Sequence, residues 1–229
     1  MVLLIVAGIL LLLAIVFGPQ MWVRHAMRRH AGEREDFPGT GGELARHLLD
    51  LANLKDVEVE IAPEGDHYDP VDKVVRLTPD HYDGRSVTAV AVAAHEVSHA
   101  LQDADGNRLL AARVKLAGTV RAIEIGAAVV LASAPVLVIL VKSPVLLVLQ
   151  IAVVVALMAS RLVVHLLTLP VEFDASFRRA LPILERGGYL DPNDLPAART
   201  VLRAAALTYV ASALVTLLDV TRLLRVLRF

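Results

Sequence analysis

The chain has 229 residues, of which 56% are hydrophobic and 21% charged, with a mean hydropathy of +0.59 and a formal net charge of −1. That apolar fraction is high for a soluble globule, while the charge content is too high for a chain held wholly in lipid, so the two compositions must be segregated along the sequence. Near-neutral charge and 4% aromatics give no reason to expect a nucleic-acid partner, and the absence of cysteine excludes disulfides, thiolate metal sites and cysteine nucleophiles, so any metal must be held by His, Asp or Glu.

The first charged side chain is Arg24. Before it, residues 2–18 (VLLIVAGILLLLAIVFG) approach the length a membrane-spanning helix needs, and Pro19 and Trp22 follow. A cleaved signal peptide carries a basic start and a small-residue cleavage site; neither is present, so the segment reads as a retained anchor. Trp22 suits the aromatic belt at the bilayer surface.

Residues 30–120 are polar. GTGGELARHLLDLANL reads as a helix with its leucines on one side, preceded by glycines. Residues 57–63 (VEVEIAP) alternate as a strand does, EGDHYDPVD is turn-rich, and residues 73–79 (KVVRLTP) make a second short strand. The two strands are expected to pair as a small β-hairpin. Ser86 can then cap a helix that runs to about Asp103 and is ended by Gly106.

That helix carries AVAAHEVSHALQD, with His95, Glu96 and His99 in the order H-E-x-x-H. Histidines four apart lie one turn apart on the same helical face, so both imidazoles can reach one ion. Glu96, next to the first ligand, can reach a water on the metal without binding the metal, which is the placement of a general base. A chance occurrence has a probability on the order of 1% at this His and Glu content. The surrounding Val92, Ala93, Ala94, Val97, Ala100 and Leu101 imply burial, where two histidines and a glutamate are costly unless something satisfies them. A catalytic zinc needs a third protein ligand. The acids downstream are Asp103, Asp105, Glu124, Glu172, Asp174 and Glu185. Asp103, one turn past His99, is better placed to accept an imidazole N–H than to bind metal.

Two charge-free runs, residues 125–141 and 143–160, meet at Lys142 and Pro144 and read as a transmembrane helical hairpin. If the hairpin folds back, Glu172, at the start of a helix expected after Pro170, returns to the side of the His95 helix and is the third ligand chosen on position. Residues 204–218 form a fourth apolar run, interrupted by Thr208, Tyr209, Ser212 and Thr216, which leaves open whether it spans. Arg24, Arg28 and Arg29 follow the anchor; Arg108, Arg113, Lys115 and Arg121 precede the hairpin; Arg161, Arg178 and Arg179 follow it; Arg222, Arg225 and Arg228 end the chain. This excess of basic flanks puts the polar segments on the cytoplasmic side.

Residues 66–78 (DHYDPVDKVVRLT), AAHEVSHALQD and LPVEFDASFRRAL resemble the YugP-like family of neutral zinc metallopeptidases of bacterial membranes, and the resemblance covers nearly the whole chain. It implies a gluzincin-type site with His95, His99 and Glu172 as zinc ligands and Glu96 as base. A more distant resemblance is to HtpX-type membrane metallopeptidases, where an aspartate four residues after the ligand glutamate supports a zinc-binding histidine. Ser176 stands at that place here and Asp174 two residues earlier, so the resemblance does not assign that role; Asp103, by its spacing from His99, and Asp174 are the candidates for outer support of the site.

The expected fold is a mainly α membrane protein: transmembrane helices plus a small α+β zincin-like cytoplasmic domain with a short β-hairpin. Its parts are an anchor over residues 1–23, the zincin-like domain over 24–122, the transmembrane hairpin over 123–167, a cytoplasmic helical segment over 168–203 and a membrane-associated helix over 204–229. The expected function is hydrolysis of peptide bonds in a protein or peptide substrate at the bilayer, with Zn2+ as cofactor and Glu96 moving the proton. The alternative is a non-catalytic membrane scaffold with a structural zinc, which needs a fourth protein ligand such as Asp103 or Asp174. A deformylase is disfavoured because its cysteine ligand has no counterpart.

Overall fold

The computed structural model describes residues 2–141 and 144–217. Lys142, at the expected hairpin turn, and Arg222, Arg225 and Arg228 of the tail lie outside the described residues. The elements in order are α1 (Val2–Arg29), α2 (Gly41–Leu51), β1 (Glu58–Ile61), β2 (His67–Asp69), β3 (Val74–Leu77), α3 (Pro79–Tyr82), α4 (Val87–Ala104), α5 (Arg108–Val141), α6 (Pro144–Phe173), a π-helix (Asp174–Ala180), α7 (Leu181–Arg186) and α8 (Leu195–Leu217). The protein is mostly helical with one three-stranded sheet. The chain divides into two compact units: Met1–Gly18, Ala112–Thr168 and Tyr209–Phe229 form one; Pro19–Ala111 and Leu169–Thr208 form the other.

The first unit is built from the apolar parts of long helices. Among the described residues, one stretch, Val6–Arg29, is long and apolar enough to cross a membrane, with a mean hydropathy of 2.1 over its richest window. It leaves Leu10, Leu11, Leu12 and Ile15 exposed, a distribution a lipid surround would cover. Helix α1 runs through Pro19, which lies inside it, and continues to Arg29, beyond the expected anchor of residues 1–23. Helices α5 and α6 likewise extend well beyond the apolar runs 125–141 and 143–160. In this unit the Arg113 guanidinium stacks on the Tyr209 ring, 4.5 Å from its centroid, and donates to its hydroxyl.

The second unit holds the polar segments, and α4 is its axis. Ser86 caps α4 by accepting from the Ala89 N–H (3.1 Å), and Gly106, with φ of +66°, reverses the chain after it. These local signals end the helix where the sequence places its ends. From Val87 to Ala100 every residue of α4 is buried, because other elements pack around it: α2, β2 and β3, and the π-helix with α7. Ala45 and Leu49 of α2, Val75 and Leu77 of β3, Val97 of α4 and Leu184, Val201 and Leu202 from the C-terminal segments share this core. Helix α2 starts with a reciprocal capping box: Glu43 N–H donates to Thr40 Oγ1 (3.2 Å) and Thr40 N–H to Glu43 Oε2 (2.8 Å). The N-terminal end of α4 is also tied to α1, since Thr88 donates its hydroxyl to the Met27 carbonyl (2.8 Å) and its N–H to that of His30 (3.2 Å).

The sheet corrects the expected hairpin. Strands β1 and β3, drawn from the two predicted segments, run parallel, with Glu58 opposite Val74 and Ile61 opposite Leu77. The antiparallel partner of β3 is β2, inside the stretch read as turn, so the order is β1-β3-β2 and β3 is central. Asp69 Oδ1 accepts from the N–H groups of Val71 (2.8 Å) and Asp72 (3.2 Å), and Lys73 takes φ of +56°, which closes the true hairpin between β2 and β3. Arg76 of β3 ties the edges together through Glu60 of β1, Asp69 of β2 and Asp72.

Close packing at the start of α2 requires glycine. A Cβ on Gly41 would stand 2.2 Å from the His81 carbonyl oxygen and 2.9 Å from that of Ala89. Gly41→Ala is expected to cost about 1–3 kcal/mol as overpacking against fixed backbone, seen as a lower thermal midpoint. Gly32→Ala, at a position with open space around it, leaves the midpoint in place in the same assay.

Candidate metal centre

The buried face of α4 carries three polar side chains in sequence: His95, His99 and Gln102, at i, i+4 and i+7. Opposite them, the last turn of α6 and the π-helix present Glu172 and Ser176. Pro170 lies within α6 and does not begin a new helix, so Glu172 belongs to the end of the helix that starts at Pro144, contrary to the expected break. Val171, Ala175 and Ser176 are buried beside it.

Here His95, His99 and Glu172 converge: their ligand atoms lie within 4.8 Å of one another. Glu172 Oε2 is 3.3 Å from His95 Nε2 and 3.4 Å from His99 Nε2. The two rings stand nearly perpendicular, 4.8 Å between centroids. Glu172 is 0% exposed and each histidine 3%. Ligands held about 2.0–2.1 Å from a tetrahedral zinc stand about 3.3–3.4 Å apart, so the carboxylate–imidazole separations are those of such an ion's edges.

The far sides of the rings select their tautomer. His95 Nδ1 is 3.0 Å from Ser176 Oγ, and that hydroxyl donates its single hydrogen to the Leu202 carbonyl (3.0 Å). Ser176 therefore accepts from His95, which places the ring hydrogen on Nδ1. His99 Nδ1 is 2.9 Å from Gln102 Oε1, while Gln102 Nε2 donates to the Val171 carbonyl (3.0 Å) and to Asp174 Oδ2 (2.8 Å). With both amide hydrogens committed, Gln102 Oε1 can only accept, and His99 is likewise Nδ1-protonated. In the neutral imidazoles each Nε2 then turns a lone pair toward Glu172. Two lone pairs and a carboxylate oxygen meeting in a buried space repel unless a cation or a shared proton lies between them, and the bonds on the far sides of the rings are the kind that prepare histidines to bind a metal.

The remaining predicted site residues fall as follows. Glu96 is buried beside His95 on α4 (7% exposed) and is not one of the three converging groups. Asp103 does not support a histidine; it accepts from the Tyr68 hydroxyl (2.8 Å) and from Lys73, which ties α4 to the sheet, and the partner of His99 is Gln102 instead. Burial and the bond to Asp103 push the Tyr68 phenol up. Asp174 acts one link further out than expected, through Gln102, and it also pairs with Arg179 (3.0 Å). Partial burial raises the Asp174 carboxyl, but the bonds from Gln102 and Arg179 outweigh it and hold the group below its ordinary value. Asp105 pairs with Arg179 (2.7 Å), and Glu185 lies on α7 outside the converging set. Of Glu124 the structure describes the backbone only. Ser98, at the fourth position of the motif, donates to the Ala94 carbonyl (2.7 Å) and stays clear of the metal face.

Gln102 and Ser176 are partners of the two histidines that the sequence does not single out. Each has a signal: Gln102 is three residues past His99 on the same face, and Ser176 is four residues past Glu172.

Two imidazoles and one carboxylate, presented by a buried helix pair, make a His2Glu centre of the kind that holds zinc in hydrolases. The family described as "Putative neutral zinc metallopeptidase" matches residues 3–228, and the chain belongs to it. It is similar to "Putative membrane protease YugP" of Bacillus subtilis (strain 168), 36% identical over 212 residues that cover 92% of this chain and 90% of that protein. No solved structure matches the chain. Zinc is the cofactor that the family implies and that this donor set fits.

Removing either outer contact should loosen the metal. Ser176→Ala and Gln102→Leu are each expected to weaken zinc binding by about 10–100-fold, measured by competition with a chromophoric chelator; unchanged affinity in both would show that the ring orientations do not depend on these bonds.

Proposed function

We propose that the protein is a membrane-bound zinc metalloendopeptidase in which His95, His99 and Glu172 hold the ion and Glu96 is the general base. The observation that carries this reading is the convergence of three buried donors, with each histidine set to offer Nε2. Bound zinc supplies Lewis acidity, polarising a scissile carbonyl and acidifying water. Glu96, at the position after the first ligand, accepts the proton of the attacking water and delivers it to the leaving amine nitrogen as the C–N bond breaks and the new C–O bond forms. With three protein ligands, the site would leave room on a bound zinc for water or substrate. A closed structural site would need a fourth, and the carboxylates of Asp103 and Asp174 are engaged with Tyr68, Lys73, Gln102 and Arg179. That favours the hydrolytic reading over the scaffold.

The substrate is an extended stretch of protein or peptide. A strand-like segment can add to an open sheet edge. Strand β3 is central and has no open edge, so β1 or β2 must serve, and β2 is the edge whose Tyr68 is bonded to α4 near the metal-binding turn.

In the bilayer, α1 is the anchor and the apolar parts of α5 and α6 form a transmembrane pair, with α8 entering the membrane at its C-terminal end. Arg24, Arg28 and Arg29 after the anchor and Arg178 and Arg179 after the pair favour a cytoplasmic placement of the metal centre. The zincin-like part then comprises residues 24–122 together with the returning segment 168–203.

Glu96→Gln is expected to retain zinc and lose casein cleavage by about 10²–10⁴-fold, the usual contribution of a positioned acid–base group, whereas Glu172→Ala loses zinc on dialysis. Elemental analysis beside a cleavage assay reads both. A Glu96→Gln protein that cleaves at the parent rate would remove Glu96 from the reaction.

A further inference from the structure

Beyond Gln102, the support of His99 continues outward through charged groups, while that of His95 does not. The His95 chain ends after one hydroxyl, at the Leu202 carbonyl. The His99 chain runs from Gln102 to Asp174, from Asp174 to Arg179, and from Arg179 to Asp105 at the surface. The ion-pair partners of Arg179 are Asp174 and Asp105.

The backbone explains how Arg179 enters this chain. Asp174 and Arg179 are five residues apart, a spacing that an α-helix places on different faces, since its neighbours are three and four apart. Residues 174–180 are instead a π-helix, closed by i→i+5 bonds such as Leu181 N–H to the Ser176 carbonyl. The wider turn brings residues five apart side by side, and Arg179 Nε lies 3.0 Å from Asp174 Oδ2. Its Nη1 donates to Asp105 Oδ2 at 2.7 Å, just past the end of α4. One guanidinium thereby joins the π-helix to the helix that bears the histidines.

We propose that Arg179 is a positioning residue for the metal centre: set against Asp174 by the π-helix, it acts through Asp174 and Gln102 to hold His99 in the tautomer and orientation that zinc requires. The proposal rests on the zinc reading of the site. Its logic is donor–acceptor matching. With Asp174 fixed as an acceptor, Gln102 must direct its NH2 outward and its Oε1 at His99. A flipped Gln102 would face two acceptors with a third and would offer His99 Nδ1 a donor, moving the ring hydrogen to Nε2 and blocking the metal lone pair. The Val171 carbonyl favours the same orientation, and Asp174 adds a charge-assisted bond to it. Freed from Arg179, Asp174 can swing toward Arg178, which is 3.9 Å from its other oxygen and largely exposed.

The test compares zinc dissociation constants of the purified full-length protein and its variants by chelator competition, together with the visible absorption of the cobalt(II)-substituted forms. Arg179→Met is expected to weaken zinc about tenfold, the lower end of the effect of outer-shell changes, and to shift the cobalt bands. Arg179→Lys, which keeps the charge, is expected to recover most of the affinity. Arg179→Gln supplies the same reading if the methionine variant does not accumulate. Arg76→Met, which removes an arginine from the ion-pair cluster of the sheet, is expected to bind zinc as the parent does. A parent that holds zinc, with Arg179→Met and Arg179→Gln both within twofold of it and with unaltered cobalt spectra, overturns the proposal. A parent that binds no zinc overturns the reading on which it rests.

Discussion

The structure depends on one convergence: the Nε2 atoms of His95 and His99 and a carboxylate oxygen of Glu172 face one another among buried residues. Three electron-rich atoms held that close, away from solvent, are unfavourable by themselves and favourable around a cation. The rest of the second unit makes sense as the means of enforcing this geometry. Helix α4 is buried along nearly its whole length, so its histidines have little freedom to turn away. The end of α6 runs into a π-helix, so Glu172, Ser176 and the pair Asp174–Arg179 all reach the same region from a short segment. π-Helical turns are rare and tend to occur at functional sites; here the widened turn has an identifiable task.

Much of the site could be read from the sequence because its signals are local. The H-E-x-x-H spacing places two imidazoles on one helical face, and Ser86 and Gly106 bracket that helix by capping chemistry that needs no knowledge of the fold. The choice of Glu172 used one non-local idea, that a chain entering the membrane returns to the side it left, and the structure brings Glu172 beside both histidines. What the sequence did not yield is pairing. The segments of β1 and β3 are strands, as their alternation suggests, but β2 has only three residues inside a stretch dense in turn formers, too short for a periodic signal. Its insertion beside β3 makes β1 and β3 parallel. Pro170 reads as a break, yet it lies inside α6. Asp103 looks like the partner of His99 by spacing, but Tyr68 and Lys73 from the sheet claim it, and the helix offers Gln102, closer by one residue, to the ring.

The hydrogen-bond partners of the two histidines show why a motif understates a site. Ser176 and Gln102 are ordinary polar residues in sequence, and each becomes significant only because its other bonds are already assigned: Ser176 to Leu202, Gln102 to Val171 and Asp174. Those assignments orient the residues, the residues orient the rings, and the rings define the ion's place. The membership of the zinc metallopeptidase family and the likeness to the Bacillus subtilis protein agree with what this geometry can do.

The central claim is that one zinc is held by two imidazoles and one carboxylate at this convergence. X-ray absorption at the zinc edge, on the purified full-length protein, tests it most directly. The account predicts one zinc per chain with only nitrogen and oxygen neighbours at about 2.0–2.1 Å, and outer-shell scattering from two imidazole rings. It also predicts loss of that zinc in Glu172→Ala. A zinc with one imidazole or none, or one bound unchanged in Glu172→Ala, would contradict it.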